Sequence, residues 1–373
     1  MRRVLLLMLL LGAPASLAAD TLTVQNRAIR FGFNPRTGAL FEMTHRASAQ
    51  NLLRGESTLW QLQLYDQLNV LITPAQARSF THRVLSAPQR GIELSWSQFG
   101  MDAAPALRVV VTATLQGDSA IADWRIALEG LGQLRVEQVR FPRIEHIARL
   151  PNEELVMPRW MGTLARAPQS VLRGPDGQPR RLQFDYPGAL SLQMIALYSR
   201  GGTGFYAASD DTLAYRKSFA VWADTDSTRS YELIHPLEDP QKTKTRWAPA
   251  YAAVLGTFTG DWLSAAERYR AWGSRQVWAR ESRLVRGQVP KWLLETGMWV
   301  WNRGRSQGVL PHARALSDGE LPDGRWLAVS ETAFRRQRYR FAPALYAHLA
   351  SRAPVAWAGR SIRVYDLRAG GVP

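Results

Sequence analysis

Five aspartates, Asp185, Asp210, Asp211, Asp224 and Asp226, are the acids whose placement invites a chemical reading. Acid–base work on a glycosidic bond needs two carboxyl groups facing across it, ~5–5.5 Å apart for retention or ~6.5–9.5 Å for inversion. Asp210 and Asp211 are neighbours at a strand end, so an extended backbone turns them to opposite faces and they make a poor catalytic pair. Solvated turn aspartates are the plainer reading, with a binding role beside Lys217 as the alternative. Asp224-Thr225-Asp226-Ser227 opens like a calcium loop, but its sixth position is Arg229 and its twelfth is His235, where Gly and Glu are required. His45, His82, His146, His235, His312 and His348 lack an H-x-x-x-H spacing, and the chain has no Cys. No metal site is therefore expected, and no cofactor.

Gly304-Arg305-Ser306-Gln307-Gly308 matches the G-x-S-x-G nucleophile elbow, and Ser306 with Asp318 or Asp323 and then His348 keeps a Ser, Asp, His order. The chain that follows is too short for a hydrolase sheet, so a loop after a strand accounts for the same residues. A serine hydrolase is kept as a minor alternative. No residue is assigned as catalytic.

The binding candidates are aromatic. Pro142–Pro187 is rich in Pro, Gly and Arg and reads as long loops carrying Trp160, Phe184 and Tyr186. Exposed rings there suit sugar stacking, while plugs tying a loop to its own sheet explain them equally well. Trp299 and Trp301 alternate on a strand ahead of Asn302 and Arg303. The substrate-binding candidates are Trp160, Tyr186, Asp211, Lys217, Trp301, Asn302 and Arg303.

The elements that must carry them are mostly strands. Thr21–Val24 and Ile29–Phe33 alternate, and Asn34-Pro35-Arg36-Thr37-Gly38 turns the chain back into Ala39–Met43. Leu59–Tyr65, Ile92–Trp96, Leu107–Leu115, Ile121–Leu128, Val136–Phe141, Leu190–Tyr198, Gly204–Ala208, Tyr215–Trp222, Tyr231–Ile234 and Ala252–Phe258 continue the pattern. Closely spaced strands without a helical period argue for an antiparallel sandwich. One amphipathic helix then follows, with Trp262, Ala265, Ala266, Tyr269, Trp272, Gln276 and Val277 on one stripe and Asp261 at the N-cap.

Met1–Ala19 reads as a secretory signal: Arg2-Arg3, the apolar run Val4–Leu11, and Ser16-Leu17-Ala18 as a small-x-small cleavage site. The apolar run falls short of the ~20 residues of a membrane span. An exported protein, periplasmic or extracellular, with no integral span after signal cleavage, is expected. The formal net charge is +16, and Lys217, Lys242, Lys244 and Lys291 are the lysines, so arginine carries most of it. The arginines are spread along the chain rather than clustered, which argues against a nucleic-acid partner. Anionic polysaccharide or phospholipid stays open. Oligomeric state is not legible.

FGFNPRTGAL, the W-x-L-x-L strand, VRFPRI, MPRWMG, YPGALSLQMIALYSRGGTGFYAASDD, Lys217-Ser218-Phe219 and FTGDWLSAAERYRAW-x5-W occur in that order. This order resembles the N-terminal β-sandwich of bacterial glycoside-hydrolase-like proteins, a domain family of unknown function. Such domains are similar to the galactose-mutarotase-like super-sandwich that precedes a β/α barrel in many glycosidases. The resemblance covers Thr21 to Leu316. It implies a mainly β fold: an antiparallel super-sandwich, a packing helix, and the start of a truncated β/α barrel.

The expected layout is signal peptide 1–19, sandwich 20–258, helix and linker 259–289, barrel start 290–316 and an atypical tail 317–373. A barrel needs ~200 or more residues, and only 57 follow Leu316. A frameshifted or disordered tail is the first reading of that departure, and a small native cap with a helix at Arg340–Ser351 is the second. Functionally, the resemblance implies a secreted protein that acts on or binds poly- or oligosaccharide, inactive as given because its catalytic barrel is largely missing. A non-catalytic carbohydrate-binding sandwich is the alternative.

Overall fold

The computed structural model describes residues 21–289, 326–330, 348–358 and 362–368. Ten strands form one antiparallel sheet, in the order Thr163–Ala165, Glu153–Met157, Met194–Ser199, Gly202–Ser209, Ala253–Gly260, Ile121–Glu129, Arg108–Leu115, Gly91–Ser97 and Ser79–Leu85, with Arg246–Trp247 paired beside Ile121–Glu129. A six-stranded sheet runs Leu182–Tyr186, Lys217–Ala223, Arg229–Pro236, Val136–Ile147, Leu59–Leu64, Leu71–Ile72. The first hairpin belongs to a four-stranded sheet, and its turn closes with Gly38 N–H on the Asn34 carbonyl at 2.8 Å. Gly38 has φ +74, a conformation that glycine adopts without a Cβ clash.

Strict alternation builds the core. In Ile121–Glu129, Ala122, Trp124, Ile126 and Leu128 are buried in a cluster shared with Phe31, Trp60, Trp96, Val139, Phe205, Phe219 and Leu233 from the other strands. Phe31 meets Trp124 edge-on at 5.4 Å, and Trp60 meets Trp96 at 5.7 Å. Each large apolar side chain buried in this way contributes roughly 1.5–3 kcal/mol. The mainly β antiparallel architecture read from the sequence is the one found.

A second cluster lies on the ten-stranded sheet's outer face, where Met194, Tyr198, Tyr206, Val254 and Phe258 receive Ala265 and Tyr269 of the helix Trp262–Gly273. Asp261 caps it, accepting from Leu263 N at 3.0 Å and Ser264 N at 3.2 Å. The buried stripe is narrower than expected. Ala265 is buried and Tyr269 and Trp272 are half-buried, whereas Trp262 and Val277 are exposed, and Val277–Arg280 forms a separate turn of helix.

Two further findings depart from the expectation. The segment Pro142–Pro187 contains the strands Glu153–Met157, Thr163–Ala165 and Leu182–Tyr186 where loops were expected. In the tail, Trp326–Ser330, Ile362–Asp366 and Ala356–Ala358 pair as an antiparallel sheet that the sequence reading did not assign. The barrel start, Pro290–Leu316, lies outside the described residues.

Candidate functional site

Strand direction gathers the site at one end of the sandwich. Lys217 begins a strand in register with Tyr186, which ends its neighbour. Gln193 precedes Met194–Ser199, Ser209 ends Gly202–Ser209, and Asp211 follows it. The Lys217 ammonium, fully buried, donates to Asp211 Oδ2 at 2.5 Å, Gln193 Oε1 at 3.0 Å and the Tyr215 carbonyl at 2.7 Å. It also lies 4.5 Å from the Tyr251 ring centroid and 5.0 Å from that of Tyr186. Three protons meet three acceptors, which is how a buried cation is kept satisfied.

Loss of water around the ammonium pulls its pKa down to about 8, against the opposing pull of Asp211. Asp211 in turn accepts from Leu213 N at 2.8 Å and Tyr215 N at 2.6 Å, so the loop to Lys217 is wound around this pair.

Beside it His235, also buried, places Nε2 2.6 Å from the Phe141 carbonyl, an acceptor only. Nε2 therefore carries the proton, and Nδ1 accepts from the Tyr251 hydroxyl at 2.8 Å. Burial lowers the His235 pKa to about 4, so the ring is neutral at pH 7, and burial raises the Tyr251 phenol well above its ordinary value.

Beside His235 opens a cavity of ≈ 250 Å³ walled by Tyr215, Trp247 and Tyr251 and by the charged Arg216, Glu238 and Lys244. Tyr215 and Tyr251 lie 5.9 Å apart between ring centroids, and Trp247 meets His235 at 6.0 Å. Charges at the cavity balance: Arg216 lies 3.9 Å from Asp185, Lys217 is neutralised by Asp211, and Glu238 and Lys244 have opposite signs. Apolar rings with a few polar groups between them are the usual lining of a small-molecule pocket.

The four described candidates thus come together at one end with distinct positions. Asp211 and Lys217 do not line the cavity but pack behind its walls Tyr215 and Tyr251, and the Lys217 ammonium has no unused proton. Tyr186 is half-buried over Lys217, and burial pushes its phenol up to about 12. Trp160 is 70% exposed in the turn between Glu153–Met157 and Thr163–Ala165, with φ +56. Its turn is tied to the Tyr186 loop by Trp160 N to the Ala189 carbonyl at 2.9 Å and Ser191 N to the Pro158 carbonyl at 2.8 Å.

Trp301, Asn302, Arg303, Ser306, Asp318 and Asp323 lie outside the described residues, while His348 Nε2 sits 3.0 Å from Arg352 Nη1. Asp224 and Asp226 accept hydrogen bonds from the Thr228 hydroxyl, and Asp224 also from Ser230.

Sequence reasoning missed Tyr215, Trp247 and Tyr251. The signal was present as an aromatic pair in the short loop Trp247-Ala-Pro-Ala-Tyr251, but nothing local places it beside Tyr215. Asp210, one of the five aspartates singled out in the sequence, lines a cavity of ≈ 210 Å³ under the helix with Tyr206, Arg268, Tyr269 and Arg275, away from Asp211 and Lys217. Burial first, and the charge of Asp123 second, push the Asp210 carboxyl up to about 7.

The chain thus presents a mainly β fold of antiparallel sheets with a helix on one outer face and an aromatic cavity at one end. Residues 247–320 match the model of a Domain of unknown function (DUF6259). Over 205 residues the chain is 25% identical to a Bacteroides thetaiotaomicron protein named "Putative glycoside hydrolase", covering 54% of this chain and 29% of that one. Among solved structures it is similar to the α-N-acetylgalactosaminidase of Bifidobacterium bifidum in its GalNAc complex, with TM-score 0.50 and 11% identity over 70% of this chain and 39% of that one. The Gal-NHAc-DNJ complex of the same enzyme gives TM-score 0.50 at 12% identity over the same shares of the two chains. The chain therefore spans less than half the length of each of these relatives. The shared part establishes the fold.

Proposed function

We propose that this chain is the β-sandwich region of an exported glycoside-hydrolase-like protein, and that it binds carbohydrate without cleaving it. The observation that carries the reading is the cavity at Tyr215, Trp247 and Tyr251, three rings beside His235 and backed by the hydrogen-bonded Lys217–Asp211 pair. Rings of this kind stack on the apolar face of a pyranose while Arg216, Glu238 and Lys244 reach its hydroxyls. Charge balance around the cavity favours a neutral sugar. The relative solved with GalNAc supplies the first probes, N-acetylgalactosamine and methyl α-galactoside. Trp160, exposed on the turn tied to the loop after Tyr186, stacks on further residues of a longer chain in this reading.

Cleavage would need a second carboxyl across the cavity. Glu238 lines it, and Asp211 is held by Lys217 and two backbone amides. Isothermal titration of the purified chain with both sugars is the test. Trp247→Ala is expected to weaken binding at least tenfold, with no nitrophenol released from the p-nitrophenyl α-glycosides of the same sugars. Wild-type chain that ignores both sugars, or a Trp247→Ala variant that binds as tightly as wild type, would sink the reading.

A further inference from the structure

We propose that the outward face of the six-stranded sheet is a second binding site, which takes the acidic groups of an anionic saccharide on Arg140, Arg143 and Arg181. The inference rests on the carbohydrate reading for the class of polymer, and on independent residues for the site. Glu232 points away from the core, between Tyr231 and Leu233 which face into it, and is fully buried. Arg143 Nη1 donates to it at 3.0 Å, Arg181 donates to its other oxygen, and Arg140 Nε lies 3.8 Å away. The second arm of Arg143 donates to Glu145 at 2.6 Å.

Three guanidinium groups therefore face two carboxylates, leaving one positive charge in excess. Arg140 carries the surplus. Its Nη2 donates to the neutral amide of Gln63 at 3.1 Å, and its Nε is buried without a hydrogen-bond partner among the described residues. Burial and the neighbouring Arg181 and Arg143 lower its pKa, while Glu232 opposes them.

The cluster is built rather than accidental. Arg140 and Arg143 are an odd number of residues apart and would face opposite sides of a regular strand. A register shift between them re-aims the chain so that both reach Glu232. The Trp222 ring is flanked by Arg181 at 4.5 Å and Arg143 at 5.6 Å, which holds both guanidinium groups in place.

Planar guanidinium forks, fixed before the ligand arrives, suit a carboxylate or sulfate bound through two oxygens. The amides of Gln61, Gln63 and Gln138 beside them supply donors and acceptors for hydroxyl groups. The formal net charge of +16 adds a long-range attraction for any polyanion, so the test must separate the site from the charge.

The probe is polygalacturonate, measured against the full chain by biolayer interferometry at 0.15 M salt. Neutral galactan and a single-stranded DNA of matched length serve as comparators. Arg140→Gln leaves Glu232 its two closest partners, so the variant is expected to melt at or above the wild-type temperature. It should bind polygalacturonate at least tenfold more weakly. The control Arg90→Gln removes one exposed charge elsewhere and should change binding less than threefold. Trp247→Ala should retain polygalacturonate binding, so that loss of the neutral-sugar cavity and loss of this face are read separately. The proposal is overturned if wild-type chain does not bind polygalacturonate, if Arg90→Gln weakens it as much as Arg140→Gln, or if DNA binds as tightly.

Discussion

Lys217 keeps its charge inside the protein because every proton of its ammonium has an acceptor, and Asp211 is the only anion among them. Replacing it by Met would leave the Asp211 carboxylate buried, with two backbone amides as its remaining donors. Breaking one partner out of a buried ion pair costs roughly 3–5 kcal/mol, because the other charge is stranded. Lys217→Met is therefore expected to lose that much stability in urea denaturation, and Asp211→Asn with Lys217→Met together should lose clearly less than Lys217→Met alone. A loss under ~1 kcal/mol for Lys217→Met would show that the pair does not organise this end of the sandwich. Sequence alone paired Asp211 with Lys217 but could not reveal their burial. They stand six positions apart, and the third acceptor, Gln193, comes from the bend before the strand Met194–Ser199. A surface contact and a core tie look the same in a sequence, whereas the geometry shows this pair buried behind the cavity wall.

Elements whose signal is local were legible. Ile29–Phe33 has the bounds the alternation gave, and Asp261 sits at the helix start because a carboxylate there satisfies amides that the helix itself leaves open. Asp261→Ala should cost ~1 kcal/mol by urea denaturation and speed hydrogen exchange at Leu263 and Ser264. An unchanged exchange rate at both amides would show that the cap bonds contribute nothing.

The strand Glu153–Met157 was not legible, since it opens with two glutamates, a type depleted in strands. Both are buried because their partners come from afar. Glu153 takes Arg229 at 2.8 Å from 76 residues away, and Glu154 takes the Tyr198 hydroxyl at 2.6 Å from 44 residues away. In Leu182–Tyr186, Asp185 likewise accepts from Ser218 at 2.6 Å across the sheet. Local propensity rejects such strands, and only tertiary pairing restores them. The helix was legible at its start and over-read at its end, because an apolar stripe identifies residues that can be buried and not the surface that buries them.

At the scale of the whole molecule, stability should respond to pH through two buried groups with opposite signs. His235 titrates at about 4 in the folded protein against an ordinary 6.5, so between those values the unfolded chain binds more protons. Stability from this group rises with pH across the window and is lost as pH falls, by on the order of 3 kcal/mol for a shift of that size. Asp210 titrates at about 7 in the folded protein against 3.8 unfolded, so there the folded chain holds the extra proton. Its contribution is fully present below pH 3.8 and is lost as pH rises through 7, and Asp123, also raised by burial, acts in the same direction. His45, also lowered by burial, acts in the same direction as His235, while Glu145 and Glu154, lowered below 4.5, act mainly at more acid pH.

The opposing slopes should leave the wild-type stability nearly flat between pH 4 and 6.5, although two groups titrate beneath it. Urea denaturation at half-unit steps would expose them separately. Asp210→Asn should become more stable as pH rises from 4 to 6.5, because His235 and His45 are then opposed by Asp123 alone. His235→Gln should become less stable from 4 to 7, because Asp210 and Asp123 then outweigh His45. Two variants that both keep the flat wild-type profile would mean that neither group is held in the buried, perturbed state on which the site geometry rests. His235 lines the aromatic cavity from the six-stranded sheet and Asp210 lies under the helix beside the ten-stranded sheet, so the pair of slopes reports whether each sheet is packed there as the structure places it.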